Sequence, residues 1–191
     1  DPTEADMNAL LGAVGSQVGR LEPWIRPGRS HLLVYYSGLG VYDGATETRY
    51  LLGVDAGGEV EGTRGYPLPR LWLQLAKMGA STTTVFLDTS FDSRGGTAAS
   101  GQSGEIPILE TPFSVFIAGG DDVDRLRDPE TGHSLFTDSI IKGLAGGADP
   151  DGDGSITMSE LEGFLRDSIE TRATQMGQSV TSPVVRGQDD R

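Results

Sequence analysis

Apolar positions along this chain follow two spacings. Four short runs, HLLVYY (31–36), YLLGVD (50–55), TTTVFL (82–87) and FSVFIA (113–118), are apolar or β-branched almost throughout and give way to loops rich in Gly, Ser, Asp and Thr. A run apolar on both faces predicts a strand of a parallel sheet, covered by helices on either side. Between the runs, apolar residues recur every third or fourth position, as on one face of a helix. Met7, Leu10, Leu11, Val14, Val18 and Leu21 form one such stripe behind Thr3 as N-cap, although Gly12, Gly15 and Gly19 weaken that helix. Leu68, Leu71, Leu75 and Met78 form a second over 67–78, closed by Gly79. Phe136, Ile140 and Leu144 point inward behind Ser134, and a last helix covers about 157–174. Pro183-Val184-Val185 predicts a closing strand. Strands alternating with helices, without internal repeats, predict an α/β fold with a largely parallel sheet.

In such sheets ligands bind outside the carboxyl ends of the strands. Ser37-Gly38-Leu39-Gly40 and Asp88-Thr89-Ser90-Phe91 fall there, so chemistry is sought first at these two turns. Two further connections are loops by composition: Arg94 to Gly104, rich in Gly, Ser and Ala, and the charged stretch Asp121 to Gly132. Within the latter, Asp121, Asp122, Asp124 and Asp128 are carboxylates on the crevice side, read as a solvated loop.

Composition narrows the partners. The 191 residues suit one domain spanning 1–191, with 28 Asp and Glu against 15 Lys and Arg for a net charge of −13. Nucleic acid and anionic membrane both require concentrated cations, so neither is an expected partner. There is no cysteine, hence no disulfide, thiolate nucleophile or thiolate metal site, and no redox signature of compartment. No apolar segment approaches the roughly 20 residues of a membrane span. The chain opens at Asp1 without an initiator Met, which suggests a processed or trimmed start.

One motif specifies a ligand. Asp149-Pro150-Asp151-Gly152-Asp153-Gly154-Ser155-Ile156-Thr157-Met158-Ser159-Glu160 satisfies the D-x-D-x-D-G-x5-E pattern of a calcium loop. Asp149, Asp151 and Asp153, the Ser155 carbonyl, Thr157 directly or through water, and a bidentate Glu160 would wrap a hard cation, with Gly154 allowing the sharp turn. Gly146-Gly147-Ala148 interrupts the incoming helix and no second loop is present to pair with, so the expected affinity is low. The competing reading is an acidic turn that caps the last helix through Ser155 or Thr157.

These segments together resemble the caspase-like peptidases (metacaspases and orthocaspases). LLVYYSGLG resembles the family's YYSGHG, VFLDTSFDS its strand followed by Asp-x-Cys-x-Ser-Gly, and YLLGVD its YLLPxD. The stretch from SLFTDSIIKGLAGGADPDGDGSITMSELEGFL to SPVVRG resembles its final helices and closing strand. The resemblance implies a three-layer caspase-like sandwich with a mostly parallel central sheet. It also implies a strand, a helix and a second strand ahead of this segment. If those are absent, the strand at 31–36 has a bare apolar edge, to be completed by a second polypeptide or a cleaved portion that stays bound; the alternative is that this sequence is only part of the protein.

Carried over by position, the family histidine is Leu39 and the family cysteine is Ser90. Leucine moves no proton, and a serine hydroxyl is inert without an adjacent base. Asp92-Ser93 also replaces the family's Ser-Gly. The chain has two histidines, His31 at the start of its strand and His133 before a helix. The resemblance therefore implies a pseudopeptidase, a protein- or peptide-binding module with a structural calcium loop. The alternative is a serine-type peptidase using Ser90. In the family the residue at Asp88 helps to receive an Arg or Lys side chain; the plainer role is bonding the amides of its own loop. A calcium-responsive switch is a third reading, without a Met-rich groove to support it.

Overall fold

A computed structural model describes residues 2–13, 19–56, 65–92, 113–118, 126–180 and 182–187. The elements are mixed α/β with a mostly parallel sheet, as the alternating pattern predicts. The chain forms two compact units: Asp1–Val34, Gly38–Thr84 and Phe91–Pro112 in the first, Tyr35–Ser37, Val85–Ser90 and Phe113–Arg191 in the second.

In the first unit, helix α1 (Glu4–Leu11) starts as predicted. Thr3 accepts the Asp6 N–H at 3.1 Å and Asp6 accepts the Thr3 N–H at 2.9 Å, a capping box. The helix stops ten residues short of Leu21, because Gly12 takes φ 104° and donates its N–H to Asn8. Leu10 is consequently exposed and Leu21 lies in a turn, while Val14 and Val18 fall outside the described residues.

A small sheet of order β4-β3-β2-β6 follows, made of β2 (Gly40–Asp43), β3 (Thr48–Leu52), β4 (Gly65–Pro67) and β6 (Phe91–Asp92). Val41 faces Tyr50 in the antiparallel β2–β3 pair, and Gly40 faces Phe91 in the parallel β2–β6 pair. Strands of two to four residues carry no periodic signal, so only β3 is foreseen. It ends at Leu52 rather than Asp55, leaving Val54 exposed. Helix α2 (Leu68–Met78) matches its prediction and packs on β3, β4 and α1. It buries Leu68, Leu71, Trp72, Leu75 and Met78, and Gly79 closes it at φ 61°.

The larger sheet has the order β1-β5-β7-β8, from β1 (His31–Ser37), β5 (Thr82–Asp88), β7 (Phe113–Ile117) and β8 (Val184–Arg186), the last antiparallel to β7. Both-sided burial holds for β5 and β7 but not for β1. An edge position leaves β1 without a buried residue, and Leu33 and Tyr35 are 59% and 47% exposed.

In the second unit Phe86 and Phe116 stack with ring centroids 5.1 Å apart. Helices α3 (Leu135–Lys142) and α4 (Met158–Gln175) cover them with Leu135, Phe136, Ile140, Leu161, Leu165 and Ile169. The α4 residues recur every fourth position, the stripe of a helix with one buried face. Leu144, expected inward, is exposed because the chain widens into a π turn over Gly143–Gly147. That turn is close to α4: a Cβ on Gly147 would lie 3.0 Å from the Phe164 ring, and one on Gly143 3.1 Å.

Candidate functional site

Strand β5 ends at Asp88, and in the second unit three hydroxyls converge on one oxygen of its carboxylate. Ser134 donates to Oδ2 at 2.6 Å, Thr137 at 2.5 Å and Ser37, the last residue of β1, at 3.3 Å. The Tyr35 hydroxyl lies 2.7 Å from Thr137 Oγ1. Since the Thr137 proton is directed at Asp88, Tyr35 is the donor in that pair, and the relay runs Tyr35 to Thr137 to Asp88. Ser134 is also the N-cap of α3, where its Oγ accepts the Thr137 N–H at 3.0 Å. The carboxylate thus stands at a helix N-terminus, where the dipole favours negative charge.

The other oxygen is different. Asp88 is 4% exposed, yet its Oδ1 has no hydrogen-bond partner among the described residues. A buried carboxylate oxygen left this way costs free energy that a donor would recover. Asp88 therefore does not serve the amides of its own loop, the plainer expectation; its partners are side chains from β1 and α3. Sequence reasoning misses these hydroxyls because the three that reach Asp88 lie 46 to 51 residues from it, and Tyr35 reaches it only through Thr137. The one available signal was Ser134 as a helix cap.

Ser90 is buried, and the neighbouring Thr89 hydroxyl donates to its carbonyl at 3.1 Å. Leu39, in the first unit, is 61% exposed, and its carbonyl accepts the Leu52 N–H at 2.9 Å. Neither histidine is committed to a serine. His31, at the far end of β1 from Ser37, has Nδ1 2.8 Å from Thr82 Oγ1. His133 is exposed in the turn before α3, its N–H donating to Thr131 at 3.3 Å.

The acidic loop is wrapped on itself. Asp149 Oδ1 accepts the Gly152 N–H at 2.8 Å and the Asp153 N–H at 3.2 Å, and Oδ2 accepts the Gly154 N–H at 3.0 Å. Asp151 and Asp153 accept the N–H groups of Asp153 and Ser155. Gly154 takes φ 84°, the sharp turn expected of it. Oxygens of Asp149, Asp151 and Asp153 lie within 4.8 Å of one another, a set that could hold a metal ion. Glu160 does not point with them. It accepts the Thr157 N–H at 2.8 Å in a second capping box, so Thr157, not Ser155, is the N-cap of α4. The three-aspartate arrangement is exposed and does not by itself select calcium.

Asp128 has a structural partner. Arg172 of α4 grips it with two bonds, 2.7 and 3.0 Å, and also reaches Glu130 at 2.9 Å. Hydrogen bonds from the Arg172 guanidinium, and then from the Glu130 N–H, hold the Asp128 carboxyl down at about 2. The same contacts push Arg172 upward. The solvated-loop reading does not describe this residue, which is buried. Asp121, Asp122 and Asp124, the Arg94 to Gly104 loop and Ser93 lie outside the described residues.

A cavity of about 490 Å³ opens between α3 and α4, lined by Asp128, Glu130, Asp138, Lys142, Phe164 and Arg172 among others. Its cations are bound to its own carboxylates, Arg172 as above and Lys142 to Asp138 at 2.5 Å. Neither Asp88 nor Ser90 lines it. The cavity's size thus gives it no claim on the chemistry expected at the strand ends. No helix among the described residues is long and apolar enough to cross a membrane. No protein-family model and no curated protein matches the chain.

Proposed function

We propose that this chain is a caspase-like module that binds protein or peptide without catalysing hydrolysis, with the loop from Asp149 to Glu160 as a structural calcium site. The observation that carries the reading is the side-chain inventory at Asp88: one carboxylate and four hydroxyls, from Tyr35, Ser37, Ser134 and Thr137, with no imidazole among them. The family's mechanism moves its proton with an imidazole, and around Asp88 a carboxylate and hydroxyls stand in its place. The unpartnered Oδ1 is suited to a cationic donor such as an Arg or Lys side chain of a partner. Reaching it requires displacing the side chains that bury it. β1 stands last in the order of its sheet, the corresponding place for a strand supplied by a second polypeptide.

Peptidase assays on Arg- and Lys-containing peptides, with and without calcium, test this. The expected outcome is no turnover that depends on Ser90. Turnover abolished by Ser90→Ala would replace the reading with a serine-type peptidase that receives its basic substrate at Asp88.

A further inference from the structure

The chain's charge is unevenly distributed. Residues 23–42 and 65–84 contain no Asp or Glu, in a chain whose net charge is −13. They carry Arg26, Arg29, Arg70 and Lys77. Arg70 is occupied, donating to Asn8 at 3.0 Å and lying over the Tyr66 ring. Arg26, Arg29 and Lys77 are exposed and form no ion pair with a described residue.

Local bonding brings together, within the first unit, the two segments that carry these three cations. The Arg29 and Ser30 N–H groups both donate to the Arg26 carbonyl, and the Arg26 N–H donates to Ser30 Oγ, closing a tight turn. That turn is fastened to the C-terminal end of α2. The Gly28 N–H donates to the Gly79 carbonyl at 2.7 Å, and the Ser81 N–H to the Ser30 carbonyl at 2.7 Å. Lys77 is in the last turn of the same helix. Just before the turn, a 3₁₀ helix over Glu22–Trp24 holds out Trp24, which is 82% exposed, the most exposed of the large apolar side chains described. The other tryptophan, Trp72, is fully buried. Trp and Arg are the side chains most enriched where binding energy concentrates, and an isolated indole in water loses the contacts it is built to make.

We propose that Trp24, Arg26, Arg29 and Lys77 form a docking surface for an acidic polypeptide segment. The guanidinium groups take its carboxylates and the indole covers an apolar side chain or methylene stretch between them. Charge favours this occupant over two others. An anionic bilayer is broad enough to meet the remaining surface of a strongly acidic chain, whereas a narrow segment meets only the basic patch within about 8–10 Å, the reach of unscreened charge. A second copy brings its own net −13 and the repulsion that follows. The proposal deepens the binding-module reading and rests on it for the idea of a protein partner, but not on Ser90 or Asp88.

The test is titration with poly-L-glutamate, followed by tryptophan emission. Trp24 is the reporter, since Trp72 is already buried. The expected result is a blue shift and an affinity that falls as salt rises. The Arg26→Glu, Arg29→Glu double variant should weaken binding at least about tenfold, and Trp24→Ala should remove the shift, with melting temperatures unchanged in both. No shift with poly-L-glutamate, or an effect unchanged by these substitutions, overturns the proposal. Tighter binding to phosphatidylserine-containing vesicles than to the polymer overturns it in favour of lipid. Concentration-dependent self-association lost in the double variant overturns it in favour of a second copy. Ser90-dependent turnover would remove the inactive-module reading without changing any of these signals.

Discussion

Asp88 and Asp149 are both carboxylates of the second unit, and each accepts three hydrogen bonds. Their donors come from opposite sources. Asp149 is served by the N–H groups of Gly152, Asp153 and Gly154, all within five residues and shared over both oxygens. Asp88 is served by hydroxyls 46 to 51 residues away, all crowded onto one oxygen. The loop's arrangement needs only its own turn; that of Asp88 exists only once β1, β5 and α3 are assembled. A locally satisfied carboxylate in water is free to exchange its bonds for an ion. One satisfied by distant, buried partners is committed to the fold. The difference separates a carboxylate bonded within its own turn from one bonded across the fold with one oxygen to spare.

Three measurements would break or sharpen that contrast. The largest effect belongs to Asp88→Ala, which leaves the hydroxyls of Ser134 and Thr137 without their acceptor. A loss of roughly 2–4 kcal/mol is expected in denaturant unfolding. A loss below about 1 kcal/mol would mean the cluster is solvated and no different in kind from the loop.

Next comes Arg172→Ala, read as a function of pH. Arg172 holds the Asp128 carboxyl down from 3.8 to about 2, so the folded state favours the ionised form. The stabilisation this gives is fully present above the ordinary value and is lost as pH falls toward about 2. The gap in melting temperature between parent and variant should therefore be widest near neutral pH and close on acidification through that window. A gap that stays constant would place the effect of Arg172 in packing alone.

The smallest effect is expected at the loop. Calcium at about ten times its dissociation constant adds about 1.4 kcal/mol to stability, roughly 3–5 °C in melting temperature for a chain of this size. Asp149→Asn should abolish that rise while leaving the melting temperature without calcium nearly unchanged. If the intact protein shows no rise, the loop is an acidic turn and its resemblance to a calcium site ends there.

The contrast also governs what could be read in advance. The capping boxes at Thr3 and Thr157, the Gly154 turn, and helix α2 with its Gly79 cap are all decided within a few residues, and the sequence shows them. So do the doubly buried strands β5 and β7, whose runs are long enough to recognise. Local pattern misleads where one glycine outweighs a stripe, as Gly12 does in ending α1 before the apolar positions run out. It is silent where strands are two to four residues long, as in most of the small sheet. It overstates burial for β1, because an apolar run records what a strand is able to bury and not whether anything lies beside it. The hydroxyls around Asp88 and the grip of Arg172 on Asp128 join residues more than 40 positions apart, and no spacing rule reaches that far.

The Phe164 ring, lodged against the glycine backbone on the far side of the acidic loop, has one further effect. It joins the segment that enters the loop to the helix that leaves it, so both hinges are clamped before any cation arrives. A cation would meet three aspartates already gathered, while Glu160 would have to leave its bond to the Thr157 N–H to join them. Phe164→Ala would loosen the two segments on either side of the loop.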